Sequence, residues 1–147
     1  MIGKIGAYVI AFVVLAGIDF PLWPISCFLA VALKRARWAF PFVASLLNVV
    51  KICIAVLLAS WLVAKIGQSP SWLMFLMPGV LMVQNDLMRI KRVKEGRSNV
   101  KRMLEQHSEP ESYDQKHDLL TERAVLAGEI VGWLVGTNLI RPIVNFF

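Results

Sequence analysis

Four long apolar runs, separated by polar segments, dominate the pattern of hydrophobic and polar positions along the chain. The runs cover residues 5–33, 40–63, 70–87 and 124–144. A helix needs about 20 apolar residues to cross the roughly 30 Å hydrocarbon layer of a bilayer. The pattern therefore predicts an all-α integral membrane protein, a small polytopic helical bundle in which a broken or re-entrant first segment is followed by three spans.

The first run is too long for a simple crossing, since it would reach about 43 Å as one helix. Asp19 lies at its midpoint and is followed by Pro21 and Pro24, and proline removes a helical donor and clashes with the preceding turn. Two alternatives remain open. A single kinked span places the N-terminus outside the cell, whereas a re-entrant hairpin returns it to the cytosol.

The third run is the shortest and weakest of the predicted spans. The order Ser69-Pro70 is typical of an N-cap followed by the first helical residue. Pro78-Gly79 is expected to interrupt the helix near its middle. We therefore expect a short kinked span over residues 70–87.

Composition strengthens the assignment to a membrane. The 147 residues are 57% hydrophobic and 18% charged, with a net charge of +6, whereas soluble domains are about 45–50% apolar and 25% charged. Sparse charge argues against a disordered chain, and two cysteines argue against a disulfide scaffold. The apolar excess favours a lipid environment.

The distribution of Lys and Arg predicts the orientation. Ten of the sixteen basic residues lie in the turn at 34–37 and in the stretch 89–102, and basic loops stay on the cytosolic side. We expect loops 34–38 and 89–123 to be cytosolic, in the inner (plasma) membrane of a bacterium. The chain then divides into a membrane region (1–88), a cytosolic charged loop (89–123) and a last span with the C-terminus (124–147).

The basic half of the charged loop is expected to contact anionic lipid headgroups. Its candidate contact residues are Arg89, Lys91, Arg92, Lys94, Arg97, Lys101 and Arg102. Nucleic acid is a weaker alternative, because the stretch 89–102 contains no aromatic side chain for base stacking. We therefore predict no nucleic-acid partner.

Ionisable residues inside the apolar runs are the strongest candidates for function, because each is costly in hydrocarbon without a partner. Asp19 and Lys51 lie near the centres of their runs, and equal depth makes them natural partners. Such a pair either pins two helices together or relays protons or ions. Glu129 is either an interfacial carboxylate paired with Arg123 or a titrating group with Lys51 as its partner.

Small residues recur at every fourth position of the last run. The row consists of Ala124, Gly128, Gly132 and Gly136. Such a face lets helix backbones approach closely in lipid. Its partner is either the similar row Gly3, Ala7 and Ala11 within the chain, or a helix of a second copy or another protein.

No catalytic signature is visible. The chain lacks a nucleotide-binding loop, a nucleophile elbow and a zinc-ligand helix. His107 and His117 have acidic neighbours but do not match a closed metal-ligand pattern. We predict a non-enzymatic protein without cofactor or metal.

Two functions follow from these features. The first is an accessory, stabilising or immunity-type subunit of a membrane complex, acting through helix–helix contacts with another membrane protein or a second copy. The alternative is a small homo-oligomeric ion channel or proton-coupled transporter that uses Asp19, Lys51 and Glu129. A lipid-binding role rests on the basic loop alone.

Overall fold

A computed structural model describes residues 2–17, 39–106 and 113–144. The described chain is all-α, as predicted. Its five helices are α1 (Ile2–Gly17), α2 (Ala39–Lys65), α3 (Leu73–Lys94), α4 (Asn99–Gln106) and α5 (Gln115–Val144). Within these ranges, two helices are long and apolar enough to cross a membrane, namely α2 and the Gln115–Ile140 part of α5. The predicted span 70–87 does not qualify, because α3 continues into a polar and basic segment.

The helices pack with α1 and α5 each in contact with both α2 and α3. α5 runs parallel to α2, since Gly128 lies against Ser45 and Gly136 against Val56. α3 runs antiparallel to α5, because the first turn of α5 hydrogen-bonds to the end of α3 through Gln115 and Val93. The bundle therefore has one end that carries the basic termination of α3 and an opposite end where α2 passes into α3.

The N-terminus of α1 lies at that opposite end, where Gly3 contacts the side chain of Gln68. Ala7, Ala11 and Leu15 form a fully buried stripe along α1. The predicted break around Asp19, the hairpin alternative and the basic turn at 34–37 lie outside the described residues.

Glycines end both α2 and α3. Gly67 has a positive φ of 73°, which glycine adopts without steric cost. Its N–H donates to the Ala64 carbonyl at 2.9 Å, and the N–H of Gln68 donates to the Val63 carbonyl at 3.2 Å. Gly96, with φ 71°, makes the equivalent bond to the Val93 carbonyl, and the N–H of Arg97 donates to the Arg92 carbonyl. These Schellman motifs satisfy the last helical carbonyls and turn the chain back along the bundle.

The predicted limits of the third helix are wrong at both ends. α3 begins at Leu73 rather than at Ser69-Pro70, and it continues to Lys94 rather than ending at 87. The helix also runs through Pro78, which is buried within it. Lys and Arg are good helix formers and favour a helix C-terminus. The basic residues 89–94 are therefore helical, and the predicted charged loop 89–123 is largely helix.

Large apolar side chains cover the outside of the bundle, and its interior combines alanines with larger apolar side chains such as Phe75 and Ile52. Alanines 7, 11, 55 and 59 are completely buried. The exposed set includes Ile5, Val9, Phe42, Leu46, Val50, Ile54, Met77, Val80, Val131 and Leu134. Soluble monomers rarely expose contiguous apolar surface on this scale.

Candidate functional site

Lys51 and Glu129 form a buried ion pair between α2 and α5. Lys51 Nζ lies 3.3 Å from Glu129 Oε1, and the two residues are 9% and 6% exposed. Both lie near the middle of their helices. Glu129 lies midway along its helix because α5 begins at Gln115, well before the predicted start of the last span. Asp19, the other predicted partner of Lys51, lies outside the described residues.

Asp86 of α3, the third helix at this site, lies close to the Lys51–Glu129 pair. It is 2% exposed, and its Oδ1 lies 3.7 Å from Arg89 Nη1. The carboxyl groups of Asp86 and Glu129 are close enough to interact. Glu122, two turns before Glu129 on α5, interacts with Arg89 and Glu129. We call Lys51, Asp86, Arg89, Glu122 and Glu129 the charge cluster.

The charge cluster contains more acid than base. Three carboxylates face one ammonium and one guanidinium group, so a formal charge of −1 remains among the described residues. Three buried carboxylate oxygens in the described part of the chain receive no hydrogen bond: Asp86 Oδ2, Glu122 Oε2 and Glu129 Oε2. Burying charge without full compensation is costly. The arrangement is therefore suited to accept a proton or another cation.

Three members of the charge cluster were missed in the sequence analysis. Asp86 falls in the polar end of the predicted third span, Glu122 in the predicted cytosolic loop, and Arg89 among the predicted lipid contacts. The spacing of Glu122 and Glu129 is a usable signal, since residues seven apart share a helix face. This spacing places Glu122 beside Glu129 only if both lie in one helix, and α5 contains both because it begins at Gln115.

The glycine row of α5 brings the charge cluster together. A Cβ on Gly128 would overlap the backbone of Ser45, and one on Gly132 would lie 2.8 Å from the Val49 carbonyl oxygen. The Cys53 thiol donates to the Gly132 carbonyl at 3.3 Å. The row thus packs on α2 within the chain. The row Gly3, Ala7 and Ala11 is not its partner, because α1 lies against α2 and α3; Ala124, at the start of the glycine row, is half-buried.

A cavity of about 260 Å³ lies between α2, α3 and α5. Glu129 is the charged residue in its wall, which is otherwise formed by apolar side chains, Gly79 and Trp133. The wall residues Leu76, Val80 and Leu134 are also exposed on the outer surface. The cavity therefore opens sideways, toward the apolar exterior of the bundle.

Trp133 links α5 to α3 at the Pro78-Gly79 step. Its indole Nε1 donates to the Phe75 carbonyl at 3.1 Å. A Cβ on Gly79 would lie 2.9 Å from the same nitrogen. Glycine at position 79 therefore provides the space that the indole occupies.

We expect Gly79→Ala and Trp133→Phe each to lower the unfolding free energy by about 1 kcal/mol, because each weakens or removes this hydrogen bond. In the Trp133→Phe variant, adding Gly79→Ala should leave the unfolding free energy nearly unchanged. Thermal unfolding of the two single variants and the double variant in detergent measures this coupling. Strictly additive costs would show that Gly79 does not accommodate the indole.

The basic end of the bundle is organised by α4 and the first turn of α5. Asp118 accepts hydrogen bonds from the Ser98 hydroxyl and, at 3.1 Å, from Tyr113 Oη. Partial burial raises the pKa of the Tyr113 phenol. Asp114 Oδ1 caps α5 by accepting the backbone N–H of Lys116 at 3.0 Å. The Ser98–Asp118 bond ties the residue that precedes α4 to the first turn of α5.

Most of the residues predicted to contact lipid lie on the surface of this end. Lys91, Arg92, Lys94, Arg97 and Arg102 are exposed, and Lys101 is half-buried. Arg89 is also exposed, and because its Nη1 lies 3.7 Å from Asp86 Oδ1 it belongs to the charge cluster as well. Contact of these seven residues with anionic lipid stays a prediction.

The histidines are not gathered into a metal site in the part of the chain that the structure describes. There, no group of three or more His, Cys, Asp or Glu side chains is arranged to hold a metal ion. The ring of His117 stacks on Phe40, with 6.3 Å between ring centroids. His107 lies outside the described residues.

Comparison with known protein families, curated proteins and solved structures found no match to this chain.

Proposed function

We propose that the protein is an integral membrane protein in which α2 and α5 cross the bilayer. The supporting observations are the length and apolar character of these two helices and the many large apolar side chains exposed on the outside of the bundle. Lipid solvates the outer surface, and small residues permit close helix contact. The basic end of α3 and the adjoining α4 lie on the cytosolic side.

Within this framework, we propose that the protein is a proton-coupled transporter. The observation that carries this proposal is the buried excess of acid in the charge cluster. Ionisable residues inside membrane segments are costly and commonly mark ion or proton pathways. The excess carboxylate binds a proton in one state and another cation in the next.

A purely structural role would need fewer charged residues than the charge cluster contains. The Lys51–Glu129 pair alone connects α2 to α5. Asp86 and Glu122 add two acids with a single further base, Arg89, which is half-exposed. Each additional buried acid increases the desolvation cost. This excess of acid favours a site that binds and releases a proton or another cation. An ion pair that only holds two helices together would not need it.

The accessory, stabilising or immunity-type subunit stays a prediction. Its strongest sequence feature was the glycine row, and that row packs on α2 of the same chain. The exposed apolar faces are equally suited to lipid and to a protein partner. The geometry therefore favours transport.

Proton exchange in liposomes tests the proposal. Vesicles with an acidic interior and a trapped pH-sensitive dye are diluted into sodium, potassium or small organic ammonium salts. We expect at least one salt to cause the lumen to become alkaline. Glu129→Gln should reduce this response to that of protein-free vesicles, whereas Glu105→Gln, on an exposed side chain paired with Lys101, should not.

Two results would contradict transport. One is the absence of any response above protein-free vesicles with all three kinds of salt. The other is an unchanged response in a folded Glu129→Gln variant.

A further inference from the structure

We infer that the cavity between α2, α3 and α5 is the binding site of a small lipophilic organic cation, whose charge is held against Glu129. This inference rests on the proposed function, since it names the class of cation that exchanges with protons. It rests on the shape, charge and access of the cavity.

The shape and composition of the cavity match an apolar ligand of modest size. Its volume is about 260 Å³, just below the roughly 300–1,000 Å³ that is usual for drug-sized ligands. Ile52, Val83 and Ile130 are among the apolar wall residues. A hydrated inorganic ion would lose its water here without polar groups to replace it.

The charge of the wall selects a cation. Glu129 is 6% exposed, and its Oε2, which is buried just behind the apolar wall, receives no hydrogen bond from the described residues. Lys51 contacts the other oxygen, Oε1. Asp86 brings a second carboxyl group close to Glu129. The aromatic ring of Trp133 also lines the cavity, and aromatic faces attract organic cations.

The access route suits a ligand that partitions into lipid. Leu76, Val80 and Leu134 form part of the wall and also lie on the outer surface. An organic cation with apolar groups can enter from the hydrocarbon side, where an inorganic ion cannot. The cavity thus joins the apolar exterior to the charge cluster.

Protonation and cation binding should compete at this site. Glu129 is faced by Lys51 from α2, by Asp86 and Arg89 from α3, and by Glu122 on its own helix. A proton taken up by these acids cancels the charge that would hold the ligand. We therefore expect cation binding to weaken as the pH falls.

The test uses the full chain in detergent and benzyltrimethylammonium as the probe. Its neutral carbon isostere, neopentylbenzene, has the same shape without the charge. We expect saturable binding of the cation by isothermal titration calorimetry, with affinity at least about tenfold above that of the isostere, because the charged contact is absent from the latter. Equal binding of the two compounds would overturn the inference.

Two further variants separate loss of the site from loss of the fold. Lys51→Met combined with Glu129→Gln removes both charges of the pair and should remain helical but lose cation binding. Val83→Phe fills the cavity without changing a charge and should also abolish binding, whereas Glu105→Gln should bind as the unaltered chain does. Retained binding in the Val83→Phe variant, or in the variant that combines Lys51→Met with Glu129→Gln, would overturn the inference.

The two proposals fail in different assays. Cation binding without proton exchange in vesicles would refute transport and leave the binding site standing. Proton exchange with sodium or potassium, together with no saturable binding of the organic cation, would refute the binding site and leave transport standing.

Discussion

Gly128→Ala is expected to lower the unfolding free energy by about 1–3 kcal/mol, the usual cost of overpacking a close contact. A Cβ at this position overlaps the backbone of Ser45. Backbone atoms cannot rotate away as a flexible side chain can, so α2 and α5 must separate. Alanine is also the better helix former by about 1 kcal/mol, and a net loss means that the clash outweighs this gain.

Gly6→Ala is the matched control. Gly6 is also helical, and a Cβ there would meet nothing within 4 Å. This variant should be neutral or stabilised by up to about 1 kcal/mol. Denaturant or thermal unfolding in detergent measures both variants, and equal stabilisation of the two would contradict the close packing of α5 on α2.

The packing of α5 on α2 also predicts how much stability each glycine of the row loses when it is replaced by alanine. Alanine at Gly132 meets a backbone oxygen at 2.8 Å, whereas alanine at Gly136 meets the Val56 side chain at 3.0 Å. We therefore expect the loss of stability to decrease from Gly128 through Gly132 to Gly136. A reversed order would indicate a different crossing of the two helices.

Lys51→Met is expected to cost about 3–5 kcal/mol, because breaking a buried ion pair leaves a buried charge without its partner. Glu129 and Asp86 would then face each other without the ammonium group. Adding Glu129→Gln should recover much of the loss, since the double variant leaves neither charge unpaired. Unfolding of the single and double variants gives the coupling energy.

Lys91→Met is the control for this second prediction. The side chain of Lys91 is 76% exposed and pairs with Glu95 at 4.0 Å, and exposed pairs contribute about 0–1 kcal/mol. The cost of Lys51→Met should also shrink at acidic pH, because protonation neutralises the carboxylates that lost their partner. A small cost that is independent of pH would show that Lys51 does not neutralise the charge cluster.

Much of the helical architecture could be predicted from local pattern. The run 40–63 lies within α2, and the run 124–144 forms the larger part of α5. The end of α3 could not be predicted, because the apolar pattern stops before the helix does. Helix-forming basic residues and the Gly96 motif carry α3 to Lys94.

The candidate site was predictable only in part. Lys51 and Glu129 were identifiable because charge within an apolar run is costly. Asp86 lies in the polar last turn of the predicted run 70–87, and Glu122 lies outside the apolar runs, so their burial could not be inferred from composition. Asp86 is buried and Glu122 half-buried in a bundle in which α3 packs on α5.

The sequence by itself determined the helical class, the location of the longest apolar segments, the concentration of basic charge and the face that the glycines share. These properties depend on residue type and spacing along one helix. The tertiary structure decided that the glycine row packs on α2, that Lys51 contacts Glu129, and that Glu129 lines an apolar cavity. Spacing specifies which residues lie together on a helix, but only the packing of separate helices decides what that face meets.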